Sequence, residues 1–261
     1  MEQQSKGWWS GLIGVIIFSG SLPATRVAVE GFDPFFLTSA RAVLAAALGI
    51  LFLTLLKQKH PNRADLTSLS ITAAGVVLGF PLLTALALEH ITSAHATVYI
   101  GLLPLATAVF GVLRGGERPA PLFWLFSITG SLIVAGFAFT QSDGASLYGD
   151  SLMLAAILIC GLGYAEGARL SQRLGGWQVI SWALVLSLPV MGGLALLTLP
   201  LTWSTISIPA WIGLAYVSAF SMLIGFIFWY RGLALGGITG VGQLQLLQPF
   251  FSLILAAFLL Q

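Results

Sequence analysis

The chain has 261 residues, of which 57% are hydrophobic and 8% charged, with a net charge of +2 and a mean hydropathy of +0.97. Soluble domains carry about 25% charged residues, so this chain cannot cover a water-facing surface, and so small a net charge implies no nucleic-acid partner. Apolar runs near the roughly 20 residues needed to cross a hydrocarbon core recur along its whole length, which predicts an all-α, polytopic helix bundle with the lipid bilayer as its solvent.

Taken in chain order, nine spans are predicted, at 8–29, 35–56, 68–89, 93–113, 121–140, 148–170, 177–199, 210–233 and 238–260. The first follows a single Lys6, is too long for the apolar region of a signal peptide and has no A-x-A-like cleavage site behind it, so it reads as retained. Turn and charge signals mark the breaks, among them GFDP (31–34), KQKHPNRAD (57–65), GGERPAP (115–121), RLGG (173–176) and GG (236–237). No break exceeds about a dozen residues, which leaves no room for a soluble domain. Basic residues in short loops favour the cytoplasmic side. With the N-terminus inside, Lys6, Lys57, Lys59, Arg63, Arg114, Arg118, Arg169, Arg173 and Arg231 lie inside, and Arg26 and Arg41 fall toward the outside. Glu30, Asp33, Asp143 and Asp150 belong to the outer loops.

The fourth and ninth spans align on their prolines: AHATVYIGLLPLATAVFGVLRGGE (94–117) sets Pro104 over Pro249 of TGVGQLQLLQPFFSLILAAFLLQ (239–261). GLIGVIIFSGSLPA (11–24) parallels LMLAAILICGLGYA (152–165), with Gly20 over Gly161. With five spans to a copy, the second copy starts on the opposite membrane face. That is the inverted plan of many secondary transporters, whose site lies near the midplane between the copies.

Several stretches resemble the EamA branch of the drug/metabolite transporter superfamily. FSGSLPATRVAV (18–29) with FDPFFLTSARAVLAA (32–46) is similar to its first helical pair, and Arg41 stands at its recurrent arginine. LALEHITSAHATVYIGLLPLATAVFGVLRGGE (86–117) resembles its third-to-fourth helix signature. YGDSLMLAAILICGLGYAEGARL (148–170) is similar to the start of its second repeat, and FWYRGLALGGITGVGQLQLLQPFFSLILAAFLL (228–260) to its eighth-to-ninth helix signature. The resemblance implies ten helices in two inverted halves. Residues 1–140 would be the first, and 141–261 the second, with its tenth helix apparently missing. It also implies a cavity lined by helices one, three, four, six, eight and nine, where the substrate-binding candidates are Ser19, Tyr99, Tyr164, Trp229, Gln243 and Gln245.

The residues themselves support part of that set. Polar side chains in hydrocarbon are costly and turn toward protein or water. On an α-helix Gln245 and Gln248 lie about 60° apart and Gln243 nearly opposite, and Pro249 should free the Gln245 carbonyl. The amides either line a cavity or join helices. His95 and Tyr99, and likewise Cys160 and Tyr164, are four apart on one helix face. Trp229 and Tyr230 suit cavity walls or an interfacial aromatic belt, the belt being the commoner use. Among the charges, Glu166 and Arg169 form a helix-surface pair, and Glu117, between Arg114 and Arg118, ties inner helix ends. Arg26 and Arg41, with Glu30 and Glu89 at similar depth, form an outer gate latch. GWWSG (7–11), GYAEG (163–167) and GGITG (236–240) place glycines four apart as contact surfaces.

A carrier of small organic metabolites in a bacterial-type inner membrane, working by alternating access, fits these features, and the resemblance points to amino-acid export. Nucleosides, quaternary amines and drugs are alternative substrates, and a channel or non-transporting subunit is the alternative class. A membrane enzyme is disfavoured, because there is no GxSxG or HExxH and no loop long enough for a catalytic lid. One cysteine, Cys160, and three dispersed histidines, His60, His90 and His95, make no metal site. No cofactor motif is present, and no feature of the sequence reports an oligomeric state.

Overall fold

The computed structural model describes residues 2–139 and 146–259. Among these residues there is no strand, and the chain forms nine helical segments. They are α1 (Glu2–Ser19, resuming as Ser21–Ala28), α2 (Pro34–Leu55), α3 (Arg63–Thr72, continuing to Ala87) and α4 (Ser93–Ile100, resuming as Leu103–Gly115). Next come α5 (Pro121–Phe139), α6 (Leu147–Leu174) and α7 (Gly176–Leu197). The last two are α8 (Ile208–Tyr216, continuing to Gly236) and α9 (Ile238–Gly242, continuing to Leu259). Seven of these, α1 to α4 and α6 to α8, hold a stretch long and apolar enough to cross a membrane. The apolar stretch of α5, Pro121–Gly136, is shorter, and α9 is interrupted by a 3₁₀ turn at Gln243–Leu247.

Local chemistry sets the boundaries. Asp33 caps α2, its carboxylate accepting from Phe35 N at 2.9 Å and Phe36 N at 3.0 Å, with Pro34 in the first turn. Ser146 and Ser207 cap α6 and α8. The joints α6–α7 and α8–α9 each turn on one glycine, Gly175 at φ +94° and Gly237 at φ +95°, a region open to glycine at no steric cost.

Packing pairs helices from the two halves of the chain. α1 runs along the last part of α8, α6 along α3, and α2 against α7, while α4 lies on α6 and α9. The expected glycine surfaces are at these crossings. A Cβ on Gly7 would stand 2.3 Å from Gly236 N, and one on Gly163 3.1 Å from the Gly75 Cα. α3 and α8 also share a deviation: each winds as a π-helix partway along, at Ala73–Gly79 and Val217–Ile224. The main core spans the middle of the bundle and includes Phe18, Tyr164, Phe226, Trp229 and Tyr230.

Candidate site at the helix breaks

Breaks in three helices position the polar groups. α1 is interrupted at Gly20, just before Pro23, which has no N–H for the carbonyl of Ser19. That carbonyl accepts instead from the Ser252 hydroxyl of α9 at 2.9 Å. The Ser19 hydroxyl donates to Val15 O at 2.7 Å and lies 3.3 Å from Gln248 O. The Ile17 carbonyl accepts from Tyr216 Oη of α8 at 2.9 Å.

In α9 the sequence-based expectation fails in an informative way. Pro249 cannot donate to the Gln245 carbonyl, but the N–H of Gln248 does, because residues Gln243–Leu247 tighten into a 3₁₀ turn. The carbonyl is therefore occupied, and the α-helical angles predicted among the three glutamines do not apply. α4 breaks at the corresponding place, turning at Gly101 and Leu102 and resuming with Pro104 in its first turn. The two breaks meet: Gln243 Nε2 donates to the Pro104 carbonyl at 3.3 Å and to Thr239 O at 3.5 Å.

Beside them stands an aromatic cluster from α1, α6 and α8. Tyr164 packs edge-on against Trp229 at 5.6 Å and Phe226 at 6.1 Å, and Phe18 against Phe226 at 5.0 Å. Gln245 Nε2 donates to Tyr164 Oη at 3.3 Å. Tyr164 and Gln245 are each 6% exposed, and Trp229 and Tyr230 0%. The interfacial-belt reading of Trp229 and Tyr230 is thereby overturned. This part of α8 is enclosed by α1, α6 and α7, and Tyr230 Oη donates to Gly163 O at 3.3 Å. Among the described residues, three buried atoms here have no protein partner: Trp229 Nε1, Gln245 Oε1 and Gln243 Oε1. Leaving such a group unpaired costs about 1–3 kcal/mol, so a donor near the two amide oxygens and an acceptor near the indole N–H are what the site lacks.

The charges gather at one end of the bundle. Glu166, fully buried, accepts from Arg114 Nε of α4, and its second oxygen lies 3.4 Å from Arg169 Nη2. Asp65 of α3 pairs with Arg173 of α6. Glu117 pairs with neither neighbouring arginine; it accepts from the N–H groups of Ile238 and Thr239, the latter at 2.7 Å, and so caps α9. At the opposite end His95 Nε2 and Asp150 Oδ1 lie 2.7 Å apart, joining α4 to α6.

Of the predicted residues, the structure gathers Tyr164, Trp229 and Gln245 in one cluster, with Gln243 and Ser19 at the adjoining breaks. Tyr99 stands apart, half-buried, its ring 5.9 Å from that of His95. Arg26, Glu30 and Glu89 are exposed, and no ion pair joins them or Arg41 within 4.0 Å among the described residues. The Arg41 Nε is buried without a partner among the described residues. Phe18 and Phe226 were missed by sequence reasoning, since a phenylalanine in an apolar run carries no mark of which helix face it occupies. Among the described residues, no group of three or more His, Cys, Asp or Glu could hold a metal ion.

Comparison with known proteins is consistent with this architecture. The sequence pattern of the EamA-like transporter family matches twice, over residues 5–140 and 147–261. The chain is 66% identical over 260 residues to the uncharacterized transporter YdeK of Bacillus subtilis (strain 168), covering 100% of this chain and 91% of that one. It is 22% identical over 253 residues to a probable terminal-alkyne amino-acid exporter of Streptantibioticus cattleyicolor, covering 94% and 82%. A solved crystal structure superposes with a TM-score of 0.80 at 19% identity, over 98% of this chain and 90% of the other.

Proposed function

The chain belongs to the EamA-like transporter family, and from that premise we propose that it exports amino acids across the inner membrane by alternating access. In this reading residues 1–140 and 141–261 are two inverted repeats, and the N-terminus is cytoplasmic. The double family match supports the two repeats, and so does the appearance of helix breaks just ahead of both aligned prolines and of π turns in both α3 and α8.

The observation that carries the substrate reading is the set of unpaired polar atoms beside the aromatic cluster. Gln243 Oε1 and Gln245 Oε1 can accept from an α-ammonium, and Trp229 Nε1 can donate to a carboxylate. None of the groups in the cluster carries a charge, which suits a substrate that is itself neutral overall, such as a zwitterion. The remote relative described as an amino-acid exporter agrees with that choice. A second reading follows from the four aromatic rings, which suit a quaternary amine through cation–π contact.

Counterflow in proteoliposomes, with labelled amino acids beside nucleosides and quaternary amines, separates these readings. Saturable amino-acid exchange is expected, with kcat/KM falling at least tenfold in Gln245→Leu, the loss of one hydrogen bond to a charged group. A quaternary amine has no N–H to donate, so exchange of one that survives Gln245→Leu and fails in Trp229→Leu would replace the amino-acid reading by the second. Absence of exchange for the whole panel would end both.

A further inference from the structure

A cleft of about 490 Å³ opens at the charged end of the bundle, away from the aromatic cluster. It lies where α2 ends, α3 begins and α7 begins, and its walls include Lys57, Lys59, His60, Asn62, Gln178 and Trp182. Its charge is unbalanced. Asp65, the acidic residue in its wall, is taken by Arg173 of α6, and among the described residues neither lysine has a carboxylate within 4.0 Å.

Two further details shape the cleft. Lys57 sits at φ +48°, the αL position just past a helix end. There Gln58 N bonds to Leu53 O at 2.9 Å in the turn that glycine usually makes. A lysine held at that conformational cost contributes a charge that glycine would not. The Gln178 side-chain oxygen is buried beside Gly175, with no partner among the described residues. The indole of Trp182 closes the wall, with the His60 ring 5.3 Å away.

The cleft is continuous with an apolar face of α7. Trp182, Leu186 and Val190 recur every fourth residue along one side of that helix. Leu186 is 39% exposed and Val190 54%, as expected of a lipid-facing stripe. A soluble phosphate would use only the cleft, whereas an acyl chain would also cover the stripe. We propose that this cleft binds the headgroup of an anionic glycerophospholipid of the phosphatidylglycerol type. Lys57 and Lys59 hold the phosphate, and the acyl chain runs along Trp182, Leu186 and Val190. Basic pockets between transmembrane helices take such headgroups. The site is independent of the transport reading, and its test reads binding alone.

The purified full chain in mixed micelles is titrated with bromine-labelled phosphatidylglycerol or phosphatidylcholine, and the quenching that Trp182→Phe removes reports the cleft. The expected preference for phosphatidylglycerol is about fivefold per lysine, the factor equivalent to about 1 kcal/mol per basic side chain near an anionic surface, hence roughly 25-fold for two. Lys57→Gly, which places the favoured residue at the helix end, combined with Lys59→Gln should bring the two lipids to one midpoint. Lys59→Gln alone should cost about fivefold. Equal midpoints in the unaltered protein, or a preference that survives the double variant, would overturn the proposal. Displacement of the lipid by glycerol 3-phosphate would assign the cleft to a soluble phosphate and overturn the lipid assignment.

Discussion

Glu166 shows what a single side chain does in this bundle. Its carboxylate is fully buried, and it is neutralised by Arg114 from α4 and approached by Arg169 one turn along its own helix. Removing one partner of a buried pair costs about 3–5 kcal/mol, because the other charge is stranded. Arg114 is 43% exposed and Arg169 remains, so Arg114→Ala belongs at the lower end of that range. A fall in detergent melting temperature larger than that of Arg169→Ala is the expected result, since Arg169 makes an ionic contact but not a hydrogen bond to Glu166 Oε2. The Glu166–Arg169 contact was legible because three residues on a helix is a fixed geometry. The Arg114 partner is 52 residues away in the chain, and no local rule points to it. Of the two uses open to Trp229 and Tyr230, cavity wall and interfacial belt, the belt fails for a related reason: neighbouring helices and not lipid surround this part of α8, and no local rule predicts them.

Elements were more readable than their contacts. GFDP, KQKHPNRAD, GGERPAP, RLGG and GG (236–237) each coincide with a boundary between helical segments, since cap residues, prolines and paired glycines act locally through caps, φ angles and missing donors. The break predicted between the fifth and sixth spans lies outside the described residues. The interior of α9 was read less well. Periodicity assumes α geometry, and the proline converts the preceding turn to 3₁₀, which redirects all three glutamines. The start of α9 depends on another helix altogether. Among the described contacts at its first turn, the N–H groups of Ile238 and Thr239 are received by Glu117, across a separation of 121 and 122 residues. Glu117→Ala should therefore lower stability by about 1–2 kcal/mol, the usual size of a lost helix cap with its favourable charge at the N-terminus. Glu117→Gln, which keeps an acceptor and loses the charge, should recover part of it, and detergent melting curves of the two variants measure the difference. An effect of Glu117→Gln as large as that of Glu117→Ala would show that charge and not hydrogen bonding fixes this joint.

At the scale of the whole molecule, the helix pairs and the ionic contacts divide the bundle into two unlike ends. One holds Arg114, Arg169, Arg173, Lys57 and Lys59 with the carboxylates that tie α3, α4, α6 and α9; the other has the single His95–Asp150 bridge among the described ion pairs. Loop charge of that asymmetry orients a polytopic protein with its basic end in the cytoplasm. The bundle offers a clean way to check it, because its one cysteine, Cys160, is buried and should give no background with a bulky maleimide. Lys59 lies in the loop after α2 and Ser204 in the loop after α7, both exposed and at opposite ends by helix order. In intact cells a membrane-impermeant maleimide should label Ser204→Cys and leave Lys59→Cys unlabelled until the membrane is permeabilised. The reverse pattern would invert the orientation while leaving the helix pairing intact. Under the proposed export reading, transport would then start from the end where the His95–Asp150 bridge joins α4 to α6, and the dense ionic contacts would become the outer closure.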